Sequence, residues 1–393
     1  MTNEYAEKHP EALGFPVRTL PNGSHQTIQQ IWSNALTPFI NLLHDNFNDG
    51  LKKLALFDSL SVRDYLIQEM GIEETYVSSI ETYSSATGLF RLAFSEAVID
   101  VEGGMQRFPN AFLPLVGENI KYKNSVQELK RLPDNKVGIT YTKVPDNQHQ
   151  FPPLTPQNSI TETFDHVIVT CPLGVVRRWD LPDFSFGKRT AIRCLNYDNS
   201  AKIFLQFRTR FWEDPAKTQN PIVGGTSSTD LPIRTIVYPS YGINSGEPGV
   251  LLVSYTWAND AARFGANSDE DVAELALRDL VKIHGKVARD EYLGRNGVHY
   301  WSTDPIAGGG AFALFEPGQF TSWIKDIKRP EFNIHFAGEH TDVHHGWIVG
   351  ALNSAVYATH NVMEREGHKR LFHKVAEPFI NQYSLPLPTD PIA

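Results

Sequence analysis

With 393 residues, the chain is long enough for two or three domains and a large apolar core. A net charge of −9 without any basic stripe excludes a nucleic-acid partner, and no apolar run approaches the ~20 residues of a membrane span. Residues 1–15 lack the basic start and apolar centre of a secretory signal, and Cys171 and Cys194 are too few for a disulfide framework, so a cytoplasmic setting is expected.

Residues 1–60 are polar with helical patches, among them 27–44. Ser61-Val62-Arg63-Asp64 is a capping box that opens a helix through Met70, stopped by Gly71. More helix is expected over 76–97, and 120–132 and 136–143 alternate like strands. Residues 144–162, rich in Pro, Asn and Gln, read as an exposed hairpin or insertion. The run 164–172 is continuously apolar, like a strand of a parallel sheet.

From Ala201 to Phe207 the pattern alternates cleanly, with Ile203, Leu205 and Phe207 on one face and Lys202, Phe204 and Gln206 on the other. Pattern alone puts Lys202 in solvent. Further strands are expected at 234–239, 249–257 and 298–301, and a capped helix at 268–284. A strand over 334–337 stops at Gly338 and Glu339, and from Gly346 helical spacing takes over until Gly367. The free amides of that helix start would favour an anionic or electron-rich ring. His335, His340, His344 and His345 invite a metal reading, but they lack any helical ligand spacing. Gly308-Gly309-Gly310-Ala311-Phe312-Ala313 fits a loose GxGxxG pattern without the flanking strand, helix and acid of a nucleotide site.

Phe336-Ala337-Gly338-Glu339-His340-Thr341 followed by His345-Gly346-Trp347-Ile348 resembles the C-terminal signature of the flavin-containing amine oxidases, L-amino-acid oxidase branch. The resemblance runs over nearly the whole chain, and His9–Val17 already matches an interior segment of the family. It implies non-covalent FAD, since Gly310 stands where monoamine oxidases carry the attaching cysteine. It further implies that Glu339, beside Gly338, holds the ribityl chain, that the amides from Gly346 through Ile348 face the ring, and that Trp347 walls the substrate pocket. Val126 would lie by the adenine and Trp301 near the flavin. The same likeness turns Lys202, in Lys202-Ile203-Phe204-Leu205 before Phe211-Trp212, into the catalytic lysine that holds a water against the flavin. Tyr238 would donate to a substrate carboxylate, and Phe312 would line the substrate side chain.

Three departures stand against the likeness: Gly88 replaces a pocket histidine, Asp198 replaces an arginine, and the strand–GxGxxG–helix that seats the pyrophosphate has no counterpart. The expected fold is α/β, with mixed α+β character: an incomplete FAD-binding doubly wound domain plus a substrate domain with a mixed sheet and helices. The expected division is 1–100 helical, 101–180 FAD-binding, 181–325 substrate domain, 326–370 FAD-binding and 371–393 a tail. Two readings follow. One is an FAD-dependent oxidase acting on the C–N bond of an amino acid or related amine, with O2 as acceptor. The other is a silent truncated paralogue acting as a binding or partner module. The departure at the N-terminal side leads us to expect an incomplete gene product or fragment, or a partner chain that supplies the missing piece, with a homodimer left open.

Overall fold

The computed structural model describes residues 18–83, 103–145 and 155–376, apart from 24, 156–157, 220 and 244. It is a mixed α/β chain in two units. The first unit holds 1–90, 194–322 and 343–348; the second holds 91–193, 323–342 and 349–393. Gly88, the first of the departures noted above, lies outside the described residues.

The first unit opens on a short hairpin, β1 (Arg18–Thr19) with β2 (His25–Gln26), then capped helices. Thr27 and Gln30 form a reciprocal capping box on Ile28–Asp45, and Ser61 and Asp64 form another on Val62–Gln68. The centre of the unit is a five-stranded sheet. Its strands are β8 (Ser200–Phe207), β9 (Thr226–Ser228), β10 (Thr235–Val237), β11 (Gly249–Trp257) and β12 (Tyr292–Tyr300), in the order β12-β8-β11-β10-β9. Every pairing in it is antiparallel, a narrower arrangement than the mixed sheet expected from the sequence. β11 and β12 flank β8, and the chain joins them through the helices Ala258–Phe264, Asp269–His284 and Val287–Glu291. These helices seal one face: Ile203, Leu205, Phe207, Leu251 and Val253 meet Val272, Leu277 and Leu280 in a core where each is at most 1% exposed. Ile283, on the same helix, is exposed. The opposite face carries Lys202. A two-stranded ladder, β7 (Tyr197–Asp198) with β13 (Phe312–Ala313), completes the unit.

The second unit contains two sheets. β3 (Asn124–Arg131), β4 (Val137–Lys143) and β5 (Ser159–Phe164) make an antiparallel meander. Residues 159–162 therefore belong to a paired strand, and the polar stretch expected over 144–162 is correspondingly shorter. β6 (Val167–Val169) pairs in parallel with β14 (Ile334–Phe336). The apolar run from Phe164 thus divides between two sheets, because Asp165 and His166 turn the chain between β5 and β6. β14 is buried throughout, and Phe184 packs on Phe332 and Phe336 beside it.

Candidate active site

Lys202 sits at the middle of the sheet, and register decides its neighbours. Tyr255 on β11 and His299 on β12 are its cross-strand partners. Its Nζ lies 5.0 Å from the centroid of the Tyr255 ring and 5.5 Å from that of Trp301. The ammonium makes no hydrogen bond or ion pair with any described residue, and burial holds its pKa below the usual lysine value. A half-buried amine between aromatic rings, with no acceptor among the described residues, would gain from a polar partner such as water.

The rings continue as a wall. Tyr255 meets Trp257 edge-on at 5.6 Å between centroids, and Trp257 meets Phe312 at 5.2 Å. Phe312 in turn lies against Gly346: a Cβ on that glycine would come within 3.5 Å of the ring, and its φ is +74°. One continuous surface in the first unit therefore carries Trp301, Lys202, Tyr255, Trp257, Phe312 and Gly346. Behind it, Gly310 is buried, and a Cβ there would stand 2.4 Å from Tyr197 Cβ. No side chain fits at that position. Asp198, also buried, has a carboxyl pushed up by burial and accepts the Asn199 amide.

In the second unit the chain leaves β14 through Gly338, whose φ of 134° and ψ of 164° lie outside the range of ordinary side chains. A Cβ there would stand 2.6 Å from the His340 ring. The Gly338 N–H donates to Ser354 Oγ at 2.8 Å, and Ser354 donates to the Ala351 carbonyl at 2.7 Å. Glu339 then opens a single 3-10 turn, half-buried. Next to Ser354, Asn353 is 8% exposed and its Nδ2 has no hydrogen-bond partner. Val126 is half-buried on β3, opposite Tyr141, where the register slips before Glu128.

Other expectations are corrected. Tyr238, expected to meet a substrate carboxylate, keeps its hydroxyl on a protein partner. Its ring is 2% exposed inside the sheet–helix core, and the hydroxyl stands 2.7 Å from His284 Nε2. Burial raises the phenol to about 12 and lowers the imidazole, so a protonated hydroxyl pairs with a neutral ring. The C-terminal helix runs Ile348–Arg365, so Gly346 and Trp347 occupy the turn before it rather than its first turn. Its buried face is Gly350, Asn353, Ser354, Ala358 and Asn361, whereas Trp347, Ile348 and Leu352 are exposed. The apolar spacing marked the helix but not its inward side. Of the clustered imidazoles, His344 stacks on Phe47 and His345 packs on Phe315 and Phe320 in the first unit, while in the second His335 faces His166.

Sequence reasoning missed Tyr255, Trp257 and His299. Alternation in Val253-Ser254-Tyr255-Thr256-Trp257 places the first two on one face, but only strand register sets them against Lys202.

Similarity to known proteins fits this geometry. Residues 22–363 match the model of the flavin containing amine oxidoreductases. A Dictyostelium discoideum protein named as a bifunctional amine oxidase is 36% identical, over 92% of this chain and 35% of its own length. The L-amino-acid oxidase of Siganus canaliculatus is 35% identical, over 91% of this chain and 66% of its own. The chain thus spans two thirds or less of these relatives. Among solved structures, a putrescine oxidase redesigned for cofactor binding superposes with a TM-score of 0.61 at 15% identity, covering 92% of this chain and 86% of that one, which supports the fold. The chain belongs to the flavin-containing amine oxidoreductases.

Proposed function

We propose that this protein works as an FAD-dependent oxidase on the C–N bond of an amino acid or related amine, with dioxygen as acceptor. The products are an imine, which water hydrolyses to the keto compound, and hydrogen peroxide. The reading rests on Lys202: a half-buried amine, caged by Tyr255 and Trp301, with no acceptor among the described residues.

Each unit by itself offers features that suit a flavin. In the first, Gly346 is bare where a side chain would be strained and Lys202 Nζ has no acceptor among the described residues; in the second, Gly338 is bare in the same way and Asn353 Nδ2 has no partner among them. When bound, FAD supplies the two-electron oxidation. Glu339, fixed in its turn after Gly338, would hold ribityl hydroxyls, and the Val126 backbone would meet the adenine. The amides at Gly346 and Ile348 would face the ring, with Trp301 beside it. Lys202 would hold a water by donating to its oxygen and keep it oriented for proton transfer. Phe312 and Trp347 would line the substrate side chain and exclude bulk water. With Gly310 closed against Tyr197, no thiol can be accommodated there, so attachment would be non-covalent.

Purified protein should be yellow, and heat denaturation should release the flavin into the supernatant. It should also form peroxide with a panel of amino acids and amines. A colourless protein that takes up no added FAD overturns the proposal.

A further inference from the structure

We infer that His299, clamped by Asp304, is the positioning residue that holds the Trp301 ring over Lys202. The inference rests on the functional reading above for its consequence, though not for its geometry.

Asp304 is anchored at both oxygens. Its Oδ1 accepts the amides of Ile306 at 2.7 Å and Ala307 at 3.3 Å, which nucleates the turn toward Gly308. Its Oδ2 lies 3.4 Å from His299 Nε2. The imidazole meets the Trp301 ring at 4.4 Å between centroids, 76° apart in plane, an edge-to-face contact. Trp301 then stands over Lys202 Nζ. The chain of contact runs carboxylate, imidazole, indole, ammonium.

His299 is also the cross-strand neighbour of Lys202, with Tyr255 on the far side of the lysine. The Asp304 carboxylate fixes the imidazole, and the imidazole fixes the indole by its edge-to-face contact. In this way His299 reaches Lys202 through the set of the indole.

The test uses the full chain as isolated, without added cofactor. The indole N–H resonance of Trp301, assigned by Trp301→Phe, should shift in His299→Ala and return toward the parent position in His299→Phe. Asp304→Asn, which loosens the clamp, should move it the same way as His299→Ala, by less. The rate at which Lys202 is modified by an amine reagent should rise several-fold in His299→Ala. It should return near the parent value in His299→Phe, which keeps the ring contact. An unmoved Trp301 signal, or unchanged Lys202 modification in His299→Ala, overturns the inference. Should His299→Ala fail to fold, the Trp301 signal and Lys202 modification in Asp304→Asn decide alone. The spectral test of flavin binding is independent, so loss of one reading leaves the other measurable.

Discussion

Replacing His335 with Gln should flatten the acid dependence of the parallel strand pair β6–β14. His335 is 1% exposed; its Nε2 stands 3.1 Å from His166 Nδ1, and its Nδ1 has no partner among the described residues. Burial, and then the positive charges at Arg365, His166 and Lys188, lower its pKa from 6.5 to about 4. The neutral ring is therefore the native form. Below 6.5 the unfolded chain takes up a proton that the folded chain refuses, so stability falls as pH drops and levels off once the folded ring also titrates, near 4. From about pH 7.5 to about pH 5.5 the linkage contributes a loss of about 1.3 kcal/mol, and its full extent is ~3 kcal/mol. Glutamine still offers His166 a polar partner but cannot titrate. Hydrogen exchange at the amides of Val167–Val169, corrected for intrinsic rates, reads the opening free energy of this pair. The parent should lose about 1.3 kcal/mol more than His335→Gln across that interval. Equal losses in the two proteins would show that His335 is hydrated or already charged in the native state, and would refute the reasoning.

Three more outcomes follow from the geometry. Lys202→Met should keep the flavin colour while slowing turnover by roughly 10²-fold; unchanged turnover would remove the lysine from the mechanism. Tyr238→Phe should lower unfolding free energy by about 1–2 kcal/mol, since it leaves a half-buried imidazole nitrogen without its hydroxyl partner, with substrate KM unchanged. A raised KM at full stability would restore Tyr238 to the substrate site. Gly310→Ala should cost about 1–3 kcal/mol in urea unfolding, because its Cβ would stand 2.4 Å from Tyr197; a variant as stable as the parent would mean the ladder β7–β13 yields easily.

The capping box at Ser61, the alternation of β8 and the strand ending at Gly338 were legible in the sequence, because each depends on residues a few positions apart. So was the flavin-oxidase signature around Glu339 and Gly346, whose spacing is itself the motif. Alternation fixed that Lys202 lies opposite Ile203 and Leu205, yet solvent was its natural reading. Tertiary structure reversed it, because strand register sets Tyr255 and His299 on either side and brings Trp301 over the amine. Tyr238 went the other way: a strand-end tyrosine in the sequence, it became core once the helix Asp269–His284 brought His284 to its hydroxyl. The same limit explains the helix Ile348–Arg365, where periodicity shows that one side is apolar but not which side is covered. Local pattern determines what an element is and which residues share a face; what meets that face is set by chain segments far away in sequence, through register and packing that no short window contains.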